Sequence, residues 1–328
     1  MMENDLYKIR SLGGCLKAAY DLFSSNLRHI LRRTWLPAVL VMVFESIVVI
    51  AATLVSGLMA VPMLGSQPIG QPAPASEFIV PGVVLLVALL VSFAVSTWLY
   101  TIVVSLLNGE SMKVNLPRII RLALLFLAVV IGVNLITYFV SLIPMVGAKS
   151  MAEVSAKSMV GGIINVVLTI VFFIVLLPLV YSFMKYSMET GTKLASVFKR
   201  PYAVGWKHWG YIFMVVLLAA IIITIICCLA GLPLIVCSLA YQSNLFSKML
   251  GDGDGLPWVY YLLFFLAAAI YSLASTYANV WLTMTFYYAY GHIEAKEKAK
   301  EQAKTELAQA GMEKETPTSK QPDFEEIK

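Results

Sequence analysis

Long apolar runs separated by short polar stretches dominate this chain. Six of them cover about 35–59, 79–107, 119–143, 161–186, 210–237 and 258–290. Each exceeds the roughly 20 apolar residues that a helix needs to cross a bilayer. The pattern predicts an all-α integral membrane protein with six transmembrane helices. Several runs exceed the minimum, which leaves room for tilt or extension into the interface. Three parts follow: an amphipathic interfacial helix over 1–34, a six-span domain over 35–292, and a charged helix with a disordered tail over 293–328.

The connections between the runs alternate in charge. One side carries Lys8, Arg10, Lys17, Arg28, Arg32 and Arg33, then Lys113, Arg118 and Arg121, then Lys185, Lys193, Lys199, Arg200 and Lys207, and finally the tail from Lys296. The other side carries only Lys149, Lys157 and Lys248. The positive-inside rule places both termini in the cytoplasm, which requires an even number of crossings. Composition closes off the soluble alternative: 59% of the 328 residues are hydrophobic and 13% charged, and the mean hydropathy is +0.81, against about 25% charged in soluble domains. The net charge of +5 is spread between apolar runs, where cations set topology and meet anionic headgroups, so nucleic acid is not an expected partner. About thirty polar and amphipathic residues precede the first run, so no cleavable signal peptide is expected, and no lipidation signal is apparent.

Within this frame a threefold internal repeat is discernible. Each unit runs from a basic amphipathic stretch through a span, an outer Pro-containing step and a second span to a polar, Gly-containing exit. The units open on "KAAYDLFSSNLRHILRRTWLP", "KVNLPRIIR" and "KLASVFKRPYAVGWKHWG". In the first, Leu12, Leu16, Ala19, Phe23, Leu27 and Ile30 recur at helical spacing opposite Lys17, Arg28 and Arg32, so a surface helix with one apolar stripe is expected to lie along the membrane. Trp35 and Pro37 are expected to mark its corner into the bilayer, with Trp206, Trp209 and Gly210 doing the same in the third unit and Pro117 opening the second.

The outer loops differ in texture. "VPMLGSQPIGQPAPASEF" reads as an irregular spacer. "SKMLGDGDGLPW" shares Asp252 and Asp254 with part of a calcium loop but lacks the other ligands, so it reads as a turn. Beyond Gly291, "HIEAKEKAKEQAKTELAQA" continues as a solvated helix, and the last residues, "TPTSKQPDFEEIK", form a solubilising tail or a partner-binding segment.

Candidate chemistry is sparse. Glu45 lies about ten residues into the first run, where an ionised carboxylate costs several kcal/mol, so it must be protonated, paired or turned toward water. It is either a proton relay or polar-substrate contact, or a neutral acid hydrogen-bonded to Asn134 or Asn165. Asn134, Asn165 and Asn279 are expected to hydrogen-bond between helices, and Ala268, Ser272, Ser275 and Asn279 form a small, polar packing stripe. Arg28, Arg32, Arg33, Arg118, Arg121, Lys199, Arg200 and Lys207 are candidate contacts to anionic lipid headgroups. His29, His208 and His292 lack helical metal-pair spacing, and Cys15, Cys227, Cys228 and Cys237 read as small hydrophobes, so no metal and no cofactor is expected. No hydrolase elbow, phosphate loop or dinucleotide fingerprint is present, and no catalytic residue is assigned.

The elbows "SNLRHILRRTWLP", "NLPRIIR" and "RPYAVGWKHWG", within a pattern covering about 10–295, resemble a group of six-span bacterial membrane proteins that includes the membrane domain accompanying some glycerophosphodiester phosphodiesterases. The resemblance implies the inner membrane of a bacterium. It does not carry the activity, because this chain has neither the phosphodiesterase barrel nor its acidic metal motif. The expected function is a non-catalytic, membrane-organising or accessory component. The alternatives are a transporter or binding protein for a lipid or small amphiphile that uses Glu45, and an intramembrane enzyme.

Overall fold

The computed structural model describes residues 6–60, 75–145, 151–249 and 255–315. The Pro-rich outer spacer over 61–74, Asp252 and Asp254, and the tail over 316–328 lie outside the described residues. Among those described, regular structure is entirely helical. α1 spans Leu12–Ser25, α2 Leu27–Ala60, α3 Ala75–Asn108, α4 Met112–Leu142, α5 Met151–Leu176, α6 Leu179–Met188, α7 Arg200–Lys207, α8 Trp209–Met249 and α9 Trp258–Glu315. Among the described residues, six helical segments are long and apolar enough to cross a membrane: Leu27–Ser56, Ile79–Asn108, Met112–Leu142, Lys157–Met188, Trp209–Ser247 and Trp258–Leu307. The chain is therefore an all-α protein of six-span type.

α9 is the hub, packing against α8, α2, α1 and α6. Its 58 residues amount to about 87 Å at 1.5 Å per residue, far more than the ~30 Å of a hydrocarbon core. Its charged C-terminal part therefore runs well past the apolar length of a span. α2 pairs with α3 and α4 with α5, and α5 has its main contacts only with α4 and the short 3-10 turn after it, so this pair forms the edge of the bundle. Val167, Ile170 and Phe173 on α5 stay about half exposed, as expected where lipid replaces water as the solvent for apolar side chains.

The best-packed core sits at the basic end. Cys15 and Ala19 of α1 are fully buried against Ile212 and Val215 of α8 and Tyr287 and Tyr290 of α9. The apolar stripe of α1 thus covers protein, which already offers a complementary groove, and leaves its polar face outward. Burial pushes the Cys15 thiol up to about 11, against the nearby Tyr211 hydroxyl and the charge of Arg10, and its Sγ donates to the Thr285 carbonyl at 3.6 Å.

The first elbow is not where the sequence places it. α1 stops at Ser25, and Asn26 turns the chain by donating its backbone N–H to the Leu22 and Ser24 carbonyls. α2 then runs unbroken through Trp35 and Pro37. The stripe drawn from Leu12 to Ile30 is cut at this bend, so Leu27 is 38% exposed whereas Ile30 is 2% exposed. The third elbow falls as expected, with α7 ending at Lys207, His208 capping it and Trp209 opening α8. Pro178 separates α5 from α6, while α8 continues through Pro233.

Two glycines permit close approaches that the basic end requires. A Cβ on Gly205 would lie 2.6 Å from the Pro178 carbonyl oxygen, so α7 seats directly on the break between α5 and α6. A Cβ on Gly291 would collide with the Leu6 carbonyl oxygen, where the N-terminal segment straps across α9. That strap is held by the Arg10 N–H, which donates to His292 Nδ1 at 2.9 Å, and by the Arg10 guanidinium over the Tyr288 ring.

Candidate intramembrane binding site

Above this core the helices separate. A cavity of about 510 Å³ lies between α2, α3, α4, α6 and α9. Its lower wall is formed by the core residues Val103, Met184 and Val280, and its sides by apolar and aromatic side chains such as Phe93, Phe126 and Phe286. Size and lining match a small-molecule pocket: mostly apolar, with a few convergent polar groups.

Glu45 lines this cavity from α2. It lies twelve residues beyond Arg33, about 18 Å along the helix axis, which puts it deep in a bilayer. Its carboxyl makes no hydrogen bond or ion pair among the described residues. Among the described residues no Lys, Arg or His lines the cavity, and Glu45 is the one carboxylic acid there, without a protein counter-charge.

Asn279 lines the same cavity from α9, while donating one Nδ2–H to the Ser275 carbonyl at 2.9 Å. The small-residue stripe of α9 divides at this point. Ala268 and Ser272 are buried in packing, whereas Asn279 opens to the chamber. Asn134 and Asn165 are not brought to Glu45. Asn134 sits exposed on α4 and donates to Val130 of its own helix at 2.8 Å, and Asn165 lies on α5 at the edge of the bundle. The remaining polar lining, Ser96, Thr97, Tyr100, Thr276 and Thr283, was not singled out by spacing along the chain, although Thr283 follows Asn279 by one helical turn.

The basic residues fall into two groups. Arg28, Arg32 and Arg33 on α2, Arg121 on α4, and Lys199 are exposed and make no ion pair among the described residues. Trp35, 58% exposed, stands beside the first three. The others are engaged within the protein. Arg118 donates to the Tyr186 carbonyl and to the Glu189 carbonyl at 2.6 Å, closing the C-terminal end of α6. Lys207 and His208 reach Glu297 at 2.9 and 2.8 Å, and Arg200 reaches Glu301 at 3.6 Å. Deeper in, Glu294 receives Lys185 and the Tyr181 hydroxyl, both at 2.5 Å, and Tyr290 donates to Glu189 at 3.0 Å. The charged part of α9 is thus a clamp on α6 and α7. Glu–Lys spacing along α9 hides this, because the partners lie about ninety or more residues away.

His292 accepts from Arg10 and stacks on Tyr211 at 4.1 Å between ring centroids, which makes it a structural group of the strap. Among the described residues no three His, Cys, Asp or Glu side chains converge as a metal site would require.

Comparison with protein-family models, with curated proteins and with solved structures gives no match.

Proposed function

We propose that this chain binds a lipid or small amphiphile inside the membrane, in the cavity that Glu45 lines. One observation carries the reading: a chamber of about 510 Å³ among the spans holds a carboxyl group that no protein group neutralises. An intramembrane acid kept without a partner is costly, and such residues characteristically face a ligand or ion path. The aliphatic and aromatic walls suit an acyl or similar tail, and the few polar groups suit one head or linkage. The chamber supplies binding and assigns no chemical step.

Native mass spectrometry of protein released gently from its own membrane tests this. Wild type retains a small molecule, and Ala123→Phe, which fills the cavity from α4, releases it. Equal retention by both proteins would remove the ligand from the cavity and overturn the reading.

A second reading rests on Arg28, Arg32 and Arg33. Three exposed guanidinium groups without ion-pair partners, next to an exposed Trp35, suit anionic headgroups at the interface. This supports a membrane-organising role, with the basic end and both termini facing the cytoplasm of a bacterium. Replacing all three with Gln should strip anionic phospholipid that otherwise co-purifies. Unchanged lipid content would sink that role.

A further inference from the structure

We infer that the ligand of the Glu45 cavity is an amphiphile with a protonated amine as its head, and that Glu45 is its counter-ion. The inference rests on the proposed binding function and narrows it to a chemical class. Three features of the chamber converge on it.

Charge comes first. The cavity presents one acid and no base, so an anionic head such as a carboxylate or phosphate would face repulsion without a compensating cation. An ammonium reverses this, because it brings the opposite charge to a carboxylate that lacks one, in surroundings where water screens poorly.

Hydrogen-bonding capacity comes second. The hydroxyls of Thr97, Thr276 and Thr283 donate to the carbonyls of Phe93, Ser272 and Asn279 on their own helices, at 2.8, 2.7 and 2.9 Å. Asn279 commits an Nδ2–H in the same manner. What these groups still offer the chamber is mainly oxygen lone pairs, joined by both oxygens of Glu45. Ser96 and Tyr100 bring the remaining hydroxyls. A site rich in acceptors wants a donor, and an ammonium brings up to three N–H groups and no acceptor.

Aromatic faces come third. Phe93, Tyr100, Phe126, Phe183 and Phe286 all line the cavity. Their ring faces attract cations and tolerate an alkyl tail equally well, a combination that suits a cationic amphiphile better than an anionic one.

The test compares three probes with the same twelve-carbon tail: dodecylamine, dodecanol and dodecanoate. Binding to full-length protein in zwitterionic nanodiscs is measured at pH 7 by native mass spectrometry or calorimetry. Wild type should favour dodecylamine over dodecanol by tenfold or more, with dodecanoate weakest. Glu45→Gln should bring the amine to within about threefold of the alcohol, and Glu45→Asp should keep most of the preference. The wild-type ranking decides the head group even where a variant fails to fold. Equal amine and alcohol binding, or preference for the carboxylate, overturns the ammonium inference and leaves an amphiphile cavity standing. Failure of all three to bind overturns the inference and the binding function together. An amine preference that survives Glu45→Gln overturns the assignment to Glu45.

Discussion

The basic end and the chamber share α6 and α9 and differ in what fills the space beside them. At the basic end α1, α6, α8 and α9 enclose fully buried side chains, among them Tyr290, Cys15 and Ala19. The strap of residues 6–11 crosses α9 at Gly291 without room for a methyl group, and the Glu294 cluster ties α9 to α6. Farther along the same spans, α2, α3, α4 and α9 leave an open volume lined by an acid with no partner. Close packing is concentrated in the first region and open volume in the second. A membrane protein can divide the two because lipid drives no hydrophobic collapse between helices, so tight packing must come from interlocking side chains and polar ties.

This division makes graded expectations, the largest at the strap. Gly291→Leu places a side chain where the Leu6 carbonyl oxygen sits, and should destabilise the protein by about 3 kcal/mol, read as a lowered melting temperature in detergent. Cys15, buried and with its thiol raised to about 11, reports the same event. It should resist maleimide at pH 8 in the wild type, because little thiolate is present below that value and access is closed, and label at least tenfold faster in Gly291→Leu. Rapid labelling of wild-type Cys15 would mean that the basic-end core is open in solution.

Next comes the clamp. Glu294→Gln leaves Lys185 half-paired and weakens the Tyr181 contact. With the Lys185 and Glu294 side chains 24% and 12% exposed, the expected cost is about 2 kcal/mol. Arg200→Ala, by contrast, removes a pair whose members are 88% and 69% exposed, and should leave the melting temperature unchanged within error. Equal losses from both would erase the distinction between a buried clamp and solvated pairs along α9.

Stability effects in the chamber should also be small. Asn279→Ala should change stability by no more than about 0.5 kcal/mol while lowering retention of the bound amphiphile severalfold in native mass spectra. If it destabilised the protein as much as Glu294→Gln, Asn279 would belong to the packed framework and the two regions would not differ as described.

Much of the framework was legible in the sequence, and the reason is local. Each span is a run of apolar residues whose length is set by the bilayer and whose backbone hydrogen bonds close within the segment, so six runs gave six spans without knowledge of their neighbours. The third elbow was equally legible, because Pro201, Trp209 and the cations around His208 act within a few residues of each other. The first elbow was misplaced. Trp35 and Pro37 are interfacial and helix-starting types, but proline is tolerated inside a long helix whose neighbours support it, and the bend needed only the Asn26 cap. Glu45 and Asn279 were singled out because polar groups among apolar ones are conspicuous. Asn134 and Asn165 were equally conspicuous, yet they occupy the peripheral α4–α5 pair, since spacing along one helix does not reveal which face meets which neighbour.

The sequence by itself determined that this is a six-span helical protein, with basic connections on one side and a costly acid in its first span, because hydrophobic length, charge and helix geometry operate within a single segment. Only the tertiary structure decided that the α1 stripe covers protein, that the acids of α9 clamp the third elbow, and that Glu45 shares a chamber with Asn279. Each of these is a meeting of side chains from distant segments, fixed by how six nearly uniform apolar cylinders pack and where they fail to fill the space between them.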